Sequence, residues 1–186
     1  MPANNRRRVI VAVAALVGIQ AAAVGVYLAV ERGRTADVAA PFRVEQLSGE
    51  APAPNILLER EDGTRISVHQ LGGNVRLVHF WATWCPPCVD ELPGLLATSR
   101  ELADRGLTLA AISMDADWSA IRAFFEGDVP AEVYRSVDPD AHRQYDIVSL
   151  PDTYLMGPRA RLLLRYGGAR RWTDPKARAH LDARLR

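Results

Sequence analysis

The stretch VRLVHFWATWCPPC, residues 75–88, contains both cysteines of the 186-residue chain, Cys85 and Cys88. Residues 75–80 are a mostly apolar, β-favouring run that predicts a central strand, and the apolar spacing of residues 89–102 predicts a helix. The two thiols are therefore expected at a strand-to-helix turn. The free main-chain N–H groups and the dipole at a helix start favour a thiolate on Cys85. Pro86 is compatible with that first turn, whose N–H groups lack intrahelical partners.

The spacing of the cysteines points to redox chemistry rather than to a structural role. Two thiols three residues apart cannot form a four-ligand zinc site, and the chain has no second cysteine pair or His-x-x-x-His to complete one. A bridge across two residues also closes almost no loop in the unfolded chain, so it would stabilise little. We expect Cys85, at the open end of the helix, to be the nucleophile and Cys88, one turn inside, to be the resolving thiol. No metal and no cofactor is predicted.

The string WCPPC at residues 84–88, with Pro93 five residues further on, resembles the thioredoxin superfamily. The longer string FWATWCPPC at residues 80–88 is similar to its membrane-anchored TlpA/ResA/CcmG-like branch. The resemblance extends over about 145 residues and implies an α/β fold, a thioredoxin-like mixed sheet with helices on both faces. It also implies a redox-active disulfide between Cys85 and Cys88.

The resemblance implies a substrate-binding surface beside the thiols. Pro151, which follows Leu150, resembles the superfamily's cis-proline, whose backbone pairs with an extended substrate next to the disulfide. With Trp84 and Pro86 these two residues form the expected substrate contacts. The alternative for Pro151 is an ordinary turn proline.

Two titratable residues are candidates for proton transfer to and from Cys88. Glu91 matches an acidic position of the branch, and the alternative is an exposed acid favoured by the helix dipole. His79 stands where thioredoxin has a buried Asp and this branch commonly has Asn. Strand alternation places it with Leu77 on one face, under the active-site helix, where a neutral imidazole could accept the Cys88 proton. The alternative is a core histidine bound to one backbone carbonyl.

The rest of the chain fits the same fold. Residues 107–113, 153–156 and 162–166 are predicted strands, and residues 118–125 and 174–185 are predicted helices. Strands and helices alternate first and a hairpin follows, which is the order of a mixed sheet.

An uncharged run at residues 9–30 is long enough to span about 30 Å of hydrocarbon. Three arginines end the preceding segment, residues 1–8, and predict that this end stays in the cytoplasm. Residues 31–41 are the expected tether, and residues 42–186 the thioredoxin-like domain on the periplasmic or outer side of the inner membrane. The alternative is a cleaved signal peptide ending near residues 38–40.

Together these features predict a thiol-disulfide oxidoreductase that reduces disulfides of exported proteins, with apocytochrome c as a candidate substrate. A membrane electron donor of the CcdA/DsbD type would re-reduce it. The net charge of +1 gives no argument for nucleic acid. The alternative is a Sco-like chaperone that holds Cu(I) between Cys85 and Cys88, with His142 as the third ligand. A peroxidase is disfavoured because the Pro-x-x-x-Thr-x-x-Cys pattern is absent.

Overall fold

The computed structural model describes residues 18–26, 44–49 and 52–185. The chain divides into two units, Met1–Ala40 and Pro41–Arg186. The second unit contains all the strands described below.

In the first unit, residues 18–26 are helical and their side chains are exposed. The rest of the predicted membrane segment, residues 9–30, lies outside the described residues, as do residues 1–8 and 31–41. Within the described ranges, no helix has both the length and the apolar character needed to cross a bilayer. The membrane anchor therefore stays a prediction.

The second unit is built on one eight-stranded sheet. The strands are β1 (Glu45–Gln46), β2 (Leu57–Glu59), β3 (Arg65–Ser67), β4 (Val75–Trp81), β5 (Leu107–Ser113), β6 (Val133–Ser136), β7 (Asp152–Met156) and β8 (Leu162–Gly167). Their order across the sheet is β1-β8-β7-β4-β5-β6-β2-β3. The pairs β4–β5 and β5–β6 are parallel and all the others are antiparallel, so the predicted mixed sheet is confirmed.

Four α-helices accompany the sheet. They are α1 (Pro86–Glu101), α2 (Trp118–Phe124), α3 (Ala141–Gln144) and α4 (Pro175–Asp182). Asp117 and Asp174 begin α2 and α4 by accepting main-chain N–H groups two residues ahead, which supplies partners that a helix start lacks. The predicted final helix ends at Asp182, three residues earlier than expected.

Side-chain alternation along β4 separates two apolar cores. Leu77 and Trp81 pack with the buried residues of α1, whereas Val78 and Phe80 pack on the opposite face of the sheet. The helices α1, α2 and α4 contribute buried residues to the first core, and α3 contributes to the second. Helices therefore cover both faces, as predicted.

The strand register brings the ends of β4 and β5 and the start of β7 together. They meet at the edge of the sheet formed by the carboxyl ends of the parallel strands. The parallel strands β4 and β5 run in register from Val75 opposite Leu107 to Trp81 opposite Ser113, so both end at this edge. The antiparallel strand β7 begins there, with Asp152 opposite Phe80. The start of α1 and the loop before β7 consequently meet at the same edge.

Candidate active site

The two cysteines lie at the junction of β4 and α1, as predicted. Cys85 has an extended backbone and is the residue that caps α1, and Pro86 occupies the first helical position. The thiols form a disulfide with an Sγ–Sγ distance of 2.06 Å. Cys85 is 6% exposed and Cys88 is completely buried, while the neighbouring Trp84 is 66% exposed. Of the two cysteines, only Cys85 keeps any exposed surface.

A buried carboxylate fixes the turn that leads to the disulfide. Asp115, two residues beyond the end of β5, accepts hydrogen bonds from the Thr83 main-chain N–H at 3.0 Å and from the Thr83 hydroxyl at 2.8 Å. The Ser113 hydroxyl also donates to Asp115. Asp115 was not predicted from the sequence; an acidic residue that follows a strand parallel to the cysteine-bearing one is the signal that could have indicated it.

The loop at residues 146–151 reaches the same edge. The peptide bond between Leu150 and Pro151 is cis, as the resemblance implies. The Pro151 carbonyl accepts the Gly168 N–H at 3.0 Å, which ties this loop to the end of β8. The structure thus brings this loop to the sheet edge where Trp84 and Pro86 lie. Their contact with substrate stays a prediction.

Glu91 is buried, in contrast to the exposed helix acid of the alternative interpretation. It lies one turn after Cys88 on the same side of α1, because residues three apart are neighbours on a helix. Its Oε2 atom accepts the Arg170 main-chain N–H at 2.5 Å, and its Oε1 atom lies 3.7 Å from His79 Nδ1. Burial raises the pKa of Glu91 to about 8, against the opposing effects of the Arg170 N–H and charge. The carboxyl is mainly protonated at neutral pH.

His79 is fully buried and, as predicted, faces α1. Its Nδ1 atom is 2.8 Å from the Thr153 hydroxyl on β7, so its partner is a side chain and not the backbone carbonyl of the alternative. Burial, with a smaller effect from the Arg170 charge, lowers the pKa of His79 to about 3. At neutral pH this imidazole is neutral and the adjacent Glu91 holds a proton.

Arg170, in the segment after β8, is a site residue that the sequence analysis missed. Its guanidinium is packed on the rings of Tyr166 and Trp172, at 5.1 and 5.4 Å from their centres, and donates to the Gly167 carbonyl. This packing holds the segment whose main-chain N–H binds Glu91. Its position after a strand that ends at the active-site edge could have indicated it.

His142, the third ligand in the alternative prediction of a Cu(I) site, does not lie with the cysteines. Within the described ranges, no three His, Cys, Asp or Glu side chains converge as a metal site would require. His142 instead lines a surface cavity of about 630 Å³ together with Met114, Asp115 and Arg135.

Comparison with known proteins places the chain in a family. Residues 50–164 match the AhpC/TSA family, which is more than half of the chain. The chain belongs to this family. It is 29% identical over 120 residues to the thiol-disulfide oxidoreductase ResA of Bacillus subtilis, a match covering 64% of this chain and 67% of that protein. A second ResA, from Oceanobacillus iheyensis, is 27% identical over 69% of this chain and 62% of its own length.

Solved structures agree with this membership. A Chlorobium tepidum protein, solved as a candidate thiol:disulfide interchange protein DsbE, is 26% identical, with a TM-score of 0.59 over 72% of this chain and 92% of its own. A thiol:disulfide interchange protein from Bacteroides sp. is 26% identical, with a TM-score of 0.54 over 62% of this chain and 78% of its own. The predictions of a thioredoxin-like fold and of a thiol-disulfide oxidoreductase are confirmed.

Proposed function

We propose that this member of the family is a membrane-tethered reductant of disulfides in exported proteins, acting through Cys85 and Cys88. The observation that carries the proposal is the asymmetry of the site. Cys85, which keeps a small exposed fraction, caps α1, and the completely buried Cys88 lies one helical turn from the buried carboxyl of Glu91.

The first step is attack on the substrate. In the reduced enzyme, the Cys85 thiolate attacks one sulfur of a substrate disulfide and forms a mixed disulfide. The other substrate sulfur leaves as a thiolate and takes a proton from water. The helix start stabilises the attacking thiolate, because its unpaired N–H groups and dipole favour negative charge.

The second step releases the substrate. Cys88 loses its proton, and its thiolate attacks Cys85 Sγ, so that the second substrate sulfur leaves and the enzyme disulfide forms. Two electrons have then passed from the cysteine pair to the substrate. The deprotonated form of Glu91 accepts the Cys88 proton. His79 Nδ1 lies 3.7 Å from Glu91 Oε1, but burial lowers the pKa of His79 to about 3, so the imidazole is a much weaker proton acceptor than Glu91.

A donor dithiol returns the enzyme to its reduced state through the reverse sequence. Glu91 then supplies the proton that Cys88 needs as it leaves the disulfide, since the same group serves both directions. A membrane donor of the CcdA/DsbD type is supported by the resemblance to the TlpA/ResA/CcmG-like branch, as is a role in cytochrome c maturation. The uncharged run at residues 9–30 supports the anchor and a site facing the periplasm or cell exterior.

The assignment of roles is tested by trapping. Cys88→Ser should accumulate mixed disulfides on Cys85 because the resolving thiol is missing, whereas Cys85→Ser should accumulate none. Non-reducing electrophoresis of exported proteins from cells making each variant measures this. Equal trapping by both variants would contradict the roles.

The direction of electron flow is tested by the reduction potential of the cysteine pair against glutathione. A potential near that of thioredoxin, about −270 mV, is expected for a reductant. A potential near that of DsbA, about −120 mV, would show an oxidant instead.

A further inference from the structure

One guanidinium contacts both ends of the loop that carries Leu150 and Pro151. Arg165, on β8, donates through Nη2 to the Asp146 carbonyl at 2.9 Å and to Asp152 Oδ2 at 2.7 Å. Its Nε atom donates to the same Asp152 oxygen at 3.0 Å. Arg165 therefore joins the residue where the loop begins to the first residue of β7.

The ion pair between Arg165 and Asp152 has a fixed geometry. Asp152 is only 1% exposed, and the Tyr154 hydroxyl donates to its Oδ2 atom at 3.3 Å. The guanidinium carbon lies 5.5 Å from the centre of the Tyr154 ring, so the planar group is also held by packing. A guanidinium that binds a carboxylate through two nitrogens fixes orientation as well as distance, which a lysine ammonium does not.

The tip of the loop between these two ends is exposed. Val148 is 93% exposed and Ser149 is exposed, so the tip has little packing to keep it in place. Asp146 has a φ of 51°, in the left-handed region, which aspartate adopts more readily than most residues with a side chain. The hydrogen bond from Arg165 to its carbonyl restrains this residue at the start of the loop.

We propose that Arg165 is a positioning residue that sets the affinity of the enzyme for polypeptide disulfides, by holding Leu150 and Pro151 at the edge beside the cysteines. This inference rests on the proposed function, in which that loop contacts the substrate backbone. A small disulfide needs only access to Cys85, whereas an extended peptide must also align with the loop. Loss of the restraint should therefore affect the two kinds of substrate differently.

The experiment compares two probes on the reduced full-length protein. One is hydroxyethyl disulfide, and the other is the oxidised peptide Cys-Ala-Ala-Cys-His. Arg165→Lys keeps the positive charge but cannot bind both loop ends in the same plane. We expect it to lower kcat/KM for the peptide about tenfold, mainly through KM, because small displacements of a positioning group have large effects. The rate with hydroxyethyl disulfide should change by less than about twofold.

Arg161→Lys is the matched control, because Arg161 precedes the other end of β8 and donates to the Gly49 carbonyl, away from this loop. It should leave both rates unchanged. If Arg165→Lys does not fold, Asp152→Asn tests one end of the same connection, since it removes the carboxylate that Arg165 binds at the start of β7. Hydrogen exchange of the Ile147 and Gly168 amides, which donate to the His142 and Pro151 carbonyls, should become faster in either variant, with exchange in β4 unchanged.

Two negative outcomes are distinguishable. A wild-type enzyme that cannot reduce the peptide would overturn the proposed function, and the role of Arg165 with it. A wild-type enzyme that reduces the peptide, with variants that slow both probes equally or neither, would overturn only the role of Arg165.

Discussion

At the scale of single residues, Glu91 provides the first prediction. Glu91→Gln keeps the shape of the side chain but removes the group proposed to exchange the Cys88 proton. Resolution of a mixed disulfide should slow by roughly a hundredfold or more, the usual contribution of a positioned acid or base. Asp90→Asn is the matched control, because Asp90 is the adjacent acid and is exposed. Rapid-quench measurement of mixed-disulfide decay compares the Glu91→Gln and Asp90→Asn variants. Equal decay rates for both would contradict a role of Glu91 in proton exchange with Cys88.

His79 provides a prediction that depends on pH. Glu91 is mainly protonated below about pH 8, and His79, with a pKa of about 3, does not take that proton, so only the deprotonated fraction of Glu91 can accept the Cys88 proton. Resolution by the wild type should therefore slow as the pH falls below 8, and His79→Asn, which replaces one neutral group with another, should keep that pH profile. Mixed-disulfide decay measured from about pH 6 to 9 checks this. A His79→Asn profile that departs from that of the wild type below pH 8 would show that the imidazole takes part in the proton transfer.

The sequence predicted the cysteines and titratable residues of this site better than the groups that form hydrogen bonds at the site. Cys85, Cys88, Glu91 and His79 were each recognisable from a local pattern or resemblance. The Arg170 main-chain N–H, the Thr153 hydroxyl and the Asp115 carboxylate were not. These three reach the site from distant segments through the fold, and neither strand nor helix periodicity specifies which distant groups will meet.

At the scale of elements, the hydrogen bonds between Asp115, which follows β5, and Thr83 in the active-site turn contribute to the free energy of unfolding. Thr83→Val removes the hydroxyl hydrogen bond to the buried Asp115 and keeps a similar shape. Hydrogen bonds to charged groups contribute about 1.5 to 3 kcal/mol, so the free energy of unfolding should fall by about that amount. Thr173→Val, at an exposed position, is the control and should cost much less. Urea unfolding of both variants measures the difference; similar values would show that the bond contributes little.

Long, strongly patterned elements were predictable, and short ones were not. The strand at residues 107–113 was predicted with its observed bounds, and α2 and β4 differ from prediction by one residue. The strand β6 was missed because its four residues include Arg135 and Ser136 and have no apolar run of their own. It exists because β5 and β2 supply partners on its two sides.

At the scale of the whole molecule, the buried pair makes stability depend on pH in two opposing ways. The pKa of Glu91 rises from 4.5 to about 8 on folding, so the folded state binds more protons in that window and loses stability as pH rises through it. The pKa of His79 falls from 6.5 to about 3, so stability is lost as pH falls through that window. Between pH 4.5 and 6.5 the two effects oppose each other.

A thermal measurement separates these contributions. The Tm of the oxidised Glu91→Gln variant, relative to the wild type, should be higher at pH 8 than at pH 4.5, because glutamine has no proton to lose. The Asp90→Asn variant should show no such trend. A difference between wild type and Glu91→Gln that is independent of pH would contradict the raised pKa.

The two outermost strands of the sheet affect whether the enzyme can release substrates that expose unpaired backbone. The two edge strands, β1 and β3, are two and three residues long. Proteins that carry unformed or incorrect disulfides expose unpaired backbone, and a long open edge would offer them a template for strand addition. The short outermost strands of this sheet offer almost no template of that kind. We therefore expect substrates to contact the cysteines and the loop at residues 146–151 rather than the edge strands, so that a reduced substrate can depart without adding a strand to the sheet.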